Sequence, residues 1–366
     1  MFQTWWQRMG ERGNQHYVPQ FYFRLFSCGK SKIHLLLKQN DRIILNSPIK
    51  GQCAENKFYG STELETQIMR IESVHSLVIR RLIRNTWVSD PSELSETEHH
   101  LLLQAVLFQK ARTSLQMQIY KKSTEEFTLS LFRAYLERFD DEESMTIAKL
   151  IDEGEVEVNV NKLSIIALQI ETALNAWKCI ADLGLVVLRN CTDIPFVFGD
   201  APVVFGNQYL SHIDNRGTLG LRCAGLQIFY PLDSATLLML YDSDIYKVRD
   251  IRGKRVDLYE RFDISQLNAM QLNHSKNAIY FAEETDANYV SDLWLAHKRN
   301  LRPPRVAVER RDGWLVDGEP VDDLLLAFEP QSSQQLEFTF VCVIPARPEG
   351  VQWRERAHSG EDLFDE

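Results

Sequence analysis

Residues 63–82 read Glu63-Leu-Glu-Thr-Gln-Ile-Met-Arg-Ile-Glu-Ser-Val-His-Ser-Leu-Val-Ile-Arg-Arg-Leu82. Leu64, Ile68, Ile71, His75, Val78 and Leu82 recur at spacings of 4, 3, 4, 3 and 4, which lays one row of side chains along a helix face. A second stripe follows at Leu101, Ala105, Phe108, Arg112, Leu115 and Ile119. Its start is marked by Ser95 with Glu98 three residues on, the pattern of a capping box. Further helices are expected over 125–139 and 163–183, separated by an acidic, poorly periodic stretch at 140–161. Residues 60–185 are thus predicted to form a helical layer.

The period then changes. Segments 185–188, 195–198, 203–205, 226–230 and 236–241 are rich in β-branched and aromatic residues and predict the strands of a main sheet. A helix over 265–276 and a strand over 278–281 follow. Upstream, Gln15-His16-Tyr17-Val18-Pro19-Gln20-Phe21-Tyr22 reads as an extended edge segment, because Pro19 removes a ladder donor. Segments 21–27 and 32–38 are also expected to be extended, joined by a turn at Cys28-Gly29-Lys30-Ser31, with short strands at 42–45 and 57–59. Gly29-Lys30-Ser31 is not a phosphate loop, since Arg24 stands where that motif needs its first glycine. Beyond Pro303-Pro304, Asp317-Gly318 signals a tight hairpin, and 336–344 reads as another strand. The predicted class is α+β: an N-terminal β element (1–60), a helical layer on a mostly antiparallel sheet (61–297, one core domain with 1–60), and a C-terminal β extension (298–366).

At 366 residues, 44% hydrophobic and 25% charged, the chain has the composition of a globular protein with a sizeable core. No apolar run approaches the roughly 20 residues that cross a bilayer, and the first residues lack the order of a secretion signal. The expectation is a cytoplasmic protein without a membrane partner. Six scattered cysteines with no Cys-x-x-Cys pair argue against a disulfide frame or structural zinc. The net charge of −10 resides in 312–366, where thirteen acidic residues face three basic ones. Just before it, Lys298, Arg299, Arg302, Arg305, Arg310 and Arg311 face only Glu309, a solvated linker or a phosphate-binding patch that the acidic segment could cover.

Each helical stripe is interrupted by one polar residue, His75 in the first and Arg112 in the second. A guanidinium stays charged, so an inward-facing Arg112 needs a carboxylate, and Glu65 and Glu72 are the nearest in sequence. One outcome is a fold-specifying ion pair between Glu72 and Arg112. The other is a pocket in which Arg112 binds an anion and the carboxylates hold a metal or a proton. Glu72-x-x-His75 and Glu96-x-x-His99 share a spacing that holds two metals in some helical bundles, although His75 also suits a satisfied core position. Asp200, at the end of the apolar run Pro195-Phe-Val-Phe-Gly-Asp200, either points into a cleft or makes an Asx-type turn before Pro202. Serine elbows, zinc-protease helices and dinucleotide glycine fingerprints are absent from the sequence.

In order, HYVPQFYFRLF, ENKFYG, ELETQIMRIES, FQKART, FVFGDAP, FYPLD and LNAMQLNHSKNAIYF resemble the landmarks of domain of unknown function family 4238, a set of mostly prokaryotic proteins. The resemblance spans about residues 14–285. It implies His16, Glu65, Glu72, Gln109, Arg112, Asp200 and Asn268 as shared polar positions, and it brings no assigned activity. Family members often carry Ser-Asp where this chain has Gly199-Asp200, so a serine hydroxyl is missing there.

Two functional readings follow. In the first, the chain is a metal-dependent nuclease of a bacterial defence or toxin system, acting on a nucleic-acid partner. Glu72, Asp200 and Glu65 would hold Mg²⁺, His16 would move the proton, Arg112 would stabilise phosphate charge, and Tyr17, Gln109 and Asn268 would contact substrate. In the second, the same residues form the cradle or internal network of a non-catalytic module that binds a nucleotide or a protein partner.

Overall fold

The computed structural model describes residues 13–27, 31–88, 94–213, 217–301, 307–311, 314–316, 319–321, 324–328, 337–344 and 353–354. The first elements are β1 (Asn14–His16), α1 (Gln20–Phe26), β2 (Lys32–Leu37), β3 (Arg42–Pro48) and β4 (Ala54–Asn56). Residues 20–26 are therefore helical where extended structure was expected. Pro19 occupies the N-cap with φ −70° and ψ 148°, where a missing N–H costs no helical bond. Tyr22, Phe23 and Phe26 share one helical face and all three are buried, whereas a strand would send Tyr22 and Phe23 to opposite sides. The expected strand at 57–59 is a turn that follows β4, with Lys57 at φ 51°. Residues 28–30 of the expected hairpin turn lie outside the described residues.

The helical layer comprises α2 (Thr62–Val88), α3 (Glu96–Ala111), α4 (Ser114–Leu136), α5 (Glu142–Asp152) and α6 (Lys162–Asn175). The capping box is present, with Ser95 and Glu98 exchanging side-chain and backbone bonds. The second stripe is split between two helices: α3 ends at Ala111, and the Thr113 hydroxyl accepts from Gln116 N at 3.2 Å to cap α4. The acidic stretch at 140–161 contains α5, capped by Asp141.

Next come β5 (Gly184–Asn190), β6 (Phe198–Gly199), β7 (Val204–Gly206), β8 (Gln227–Asp233), β9 (Thr236–Tyr241), β10 (Tyr246–Val248), β11 (Arg255–Leu258), α7 (Arg261–His274), β12 (Ala278–Phe281) and α8 (Ala287–His297). They build two main sheets: β11-β5-β9-β8-β7, antiparallel except for β11 with β5, and β3-β2-β12-β6. The segment expected to run in the main sheet at 195–198 instead contributes β6 to the second sheet, beside the N-terminal strands. Side-chain alternation explains the apolar runs. Val187, Ile228, Tyr230, Leu238 and Leu240 join the core under α1 and α2, while Val186, Leu188, Phe229, Leu237 and Met239 join a second core on the opposite face.

The chain ends with β13 (Ala307–Arg311), β14 (Trp314–Val316), β15 (Glu319–Val321), β16 (Leu324–Phe328) and β17 (Val341–Val343). β14 pairs with β15 across Asp317-Gly318, residues that lie outside those described. β13, the end of the basic run, pairs with β16 of the acidic segment. β17 pairs with β10, and Phe338, Phe340 and Val341 enter the second core.

Candidate functional site

In β1 Gln15 points inward and the His16 side chain is only half-buried, and Tyr17, just past the strand, is buried again. Gln15 Oε1 accepts from Tyr59 N at 2.6 Å, and Gln15 Nε2 donates to Glu65 Oε2 at 3.2 Å. The Tyr59 hydroxyl donates to the His16 carbonyl at 3.0 Å and accepts from Arg112 Nε at 2.9 Å. Arg112 Nη2 donates to the same carbonyl at 2.5 Å. Nη1 lies 2.5 Å from Glu72 Oε1, an ion pair without the alignment of a hydrogen bond. The break between α3 and α4 puts Arg112 at the C-cap, where its guanidinium reaches both α2 and the backbone of β1. Burial opposes its charge, but Tyr59 and Glu72 more than offset this and hold it protonated. Burial also pushes the Tyr59 hydroxyl up to about 12, so it keeps the proton it donates.

Beside this network lies a small, partly open cleft with room for about one water molecule, lined by Pro19, Phe21, Glu72, His75, Gln109, Arg112 and Tyr230 among others. His75 is 4% exposed and stands edge-on to Phe108 at 5.5 Å, and its ring nitrogens make no hydrogen bond among the described residues. Burial, with Arg112 adding to it, drives its pKa down to about 4, so the imidazole is neutral at pH 7. Burial likewise raises the pKa of Tyr230, whose hydroxyl stays protonated. Gln109 Nε2 donates to the Tyr17 carbonyl at 3.2 Å and ties β1 to the rim of the cleft.

Other expected site residues serve elsewhere. Asp200 is fully buried and clamps the α7–β12 junction: its oxygens accept from Lys276 N at 2.7 Å and Asn277 N at 2.8 Å. Desolvation raises its pKa, although those two bonds and Lys38 oppose the shift. Lys38 Nζ donates to Leu272 O at 2.8 Å and Ser275 O at 2.5 Å, capping the C-terminus of α7. Asn268 holds Val197 N at 3.0 Å and Pro195 O at 2.8 Å, and Gln271, one turn on, holds Gly199 N at 3.0 Å and Pro202 O at 2.9 Å. The Tyr17 ring packs on Phe58 at 5.3 Å, and His16 Nε2 donates to the Lys50 carbonyl at 3.1 Å.

Glu65, Glu72 and Asp200 therefore do not share a site. Among the described residues no group of three or more His, Cys, Asp or Glu is placed to hold a metal, the two Glu-x-x-His pairs included. Mg²⁺ does not fit the three carboxylates as they stand. Gln15, Tyr59, Gln271 and Tyr230 are neighbours of the expected site residues that the sequence did not single out. Gln15 was legible in principle, since in a strand entered at His16 the inward positions are 15 and 17.

Layered helices over antiparallel sheets, with a buried arginine network and a small cleft beside it, define an α+β protein with an internal polar network. A family model described as "Protein of unknown function (DUF4238)" matches residues 14–285, and the chain belongs to that family. No curated protein and no solved structure matches it. Among the described residues no helix is long and apolar enough to cross a membrane.

Proposed function

We propose that this chain is a non-catalytic binding module that senses a nucleotide by its base, held by Glu72, His75, Gln109, Arg112 and Tyr230. One observation carries this reading: the His75 imidazole is largely buried and neutral, makes no hydrogen bond among the described residues, and lines a water-sized cleft that opens to the surface and would widen to take a base. A polar group left unpaired once its site is dried costs about 1–3 kcal/mol, so a ligand that covers His75 must supply the bond, which selects ligands with a matching donor or acceptor. Charge selects the ligand's end. Arg112 and Glu72 neutralise each other, so a phosphate would meet no net positive charge, whereas the planar, uncharged edge of a base suits mixed donors and acceptors between aromatic walls. The nuclease reading needs His16 and several carboxylates on one phosphate. Here the ring of His16 is engaged by Lys50, and both oxygens of Asp200 are committed to backbone N–H groups.

Calorimetric titration with the four ribonucleosides, their 5′-monophosphates and ribose 5-phosphate tests the proposal. At least one nucleoside is expected to bind, its monophosphate with similar affinity, and ribose 5-phosphate not at all. His75→Phe and Tyr230→Phe are each expected to weaken binding about tenfold, the loss of one hydrogen bond. Absence of heat with every nucleoside sinks the proposal. Mg²⁺-dependent cleavage of RNA or DNA that disappears in His16→Ala would reinstate the nuclease.

A further inference from the structure

α4 is buried along one side through Leu115, Ile119 and Leu136 and carries a second apolar row along another. At 100° per residue, Tyr120, Leu131, Phe132 and Tyr135, with Phe139 just past the helix end, fall within roughly 120° of arc. All five are exposed, Leu131 at 52% and Tyr135 at 53%, and Met145 on the adjoining α5 reaches 67%. The Tyr135 and Phe139 rings contact each other at 5.1 Å, so the row is continuous past the end of α4. β13 and β16 also lie against α4, yet Leu131, Phe132, Tyr135 and Phe139 keep more than two fifths of their surface exposed. Single exposed apolar residues need no explanation, but a contiguous row of this size marks an interaction surface.

Its charge says what covers it. Residues 137–157 hold nine acidic and two basic residues, a balance of −7. Arg133 takes up Glu137 and Asp152, and Lys149 takes up Glu153. Asp140, Glu142, Glu143, Glu155 and Glu157 have no cationic partner among the described residues. A second copy docked about a two-fold axis would set this acidic stretch against itself, and the chain's own segment 312–366 is acidic too. Nucleic acid and anionic membranes meet the same repulsion. We infer that this face docks a basic amphipathic helix of a protein partner, its apolar side on Leu131, Phe132, Tyr135 and Phe139 and its lysines or arginines on the acidic rim.

The probe is a synthetic amphipathic helix of leucine and lysine, with a leucine–glutamate helix as control, titrated by fluorescence anisotropy into the full chain. The lysine peptide is expected to bind at least about tenfold tighter than the glutamate one, and to weaken with salt. The decisive variant is Leu131→Asp with Tyr135→Asp, two exposed sites whose circular dichroism and melting should match the parent. It makes the face more acidic, so charge attraction alone predicts tighter binding of the lysine peptide, whereas docking predicts about tenfold weaker. Unchanged or tighter binding overturns the inference. So does concentration-dependent self-association that this variant abolishes, which would give the face to a second copy.

Discussion

Arg112 holds His16 by its backbone: Nη2 donates to the His16 carbonyl at 2.5 Å, while the His16 ring turns to the Lys50 carbonyl at 3.1 Å. The arginine therefore reads the path of β1 and is indifferent to the identity of its side chain. Removing one partner of a buried pair costs about 3–5 kcal/mol, because the other charge is stranded. Arg112→Ala should lose about that much in urea unfolding, with Arg112→Lys recovering only part, since an ammonium cannot span Tyr59, Glu72 and the carbonyl together. His16→Ala should cost about 1 kcal/mol or less. Equal losses for His16→Ala and Arg112→Ala would contradict this division of roles.

His75 makes stability depend on pH in a defined direction. Its folded pKa of about 4 lies below the ordinary 6.5, so between these values the unfolded chain holds a proton that the folded chain refuses. Stability is fully present above pH 6.5 and falls as pH drops toward 4, through a term of at most about 1.4 kcal/mol per pH unit. His274, also depressed by burial and then by Lys110 and Lys38, acts with the same sign, so the parent alone cannot isolate His75. His75→Phe removes only the first term. Between pH 7 and 5 its unfolding free energy should fall about 2 kcal/mol less than the parent's. Parallel pH profiles for the two proteins would show that His75 titrates normally.

Gly199 and Ser275 constrain each other. A Cβ at position 199 would stand 2.6 Å from the Ser275 Cβ and 3.1 Å from the Gln271 carbonyl oxygen, both on the α7 C-terminus that Asp200 and Lys38 fasten. Gly199→Ser should therefore destabilise by about 1–3 kcal/mol through overpacking. Adding Ser275→Gly should return much of that loss in thermal unfolding. If Gly199→Ser is neutral, the α7–β12 junction is looser than this contact requires.

What the sequence could disclose followed from periodicity. The stripe from Leu64 to Leu82 marks α2, the Ser95–Glu98 box marks the start of α3, and the strand at 278–281 falls where its apolar run ends. Readings failed where one residue outweighs the pattern. Thr113 caps a new helix in the middle of a stripe whose spacing runs on without a gap, and Pro19 opens a helix where its missing N–H suggested a sheet edge. Arg112 and Glu72 were legible as a pair because an unpaired buried guanidinium is too costly to keep. Asp200 was not legible: its partners are the backbone N–H groups of residues 76 and 77 positions away, which carry no side-chain signature.

The C-terminal segment lies outside the family match and is still fastened to the matched region. Arg354 donates to Asp182 through Nε at 2.8 Å and Nη2 at 3.0 Å, and to the Cys179 carbonyl at 2.5 Å, with both charged groups almost fully buried. Upstream, the Thr339 backbone N–H bonds Asp263 at 2.8 Å, next to Phe338 and Phe340 in the second core. A chain ending before 337 would uncover that core and lose these anchors, so it should be insoluble or molten by near-ultraviolet dichroism and dye binding. Arg354→Ala should cost about 3–5 kcal/mol by stranding Asp182, whereas Arg354→Met with Asp182→Leu, which removes both charges, should restore a good part of it. A truncated chain that melts as cooperatively as the parent would make residues 337–354 an accessory to the fold and not a component of it.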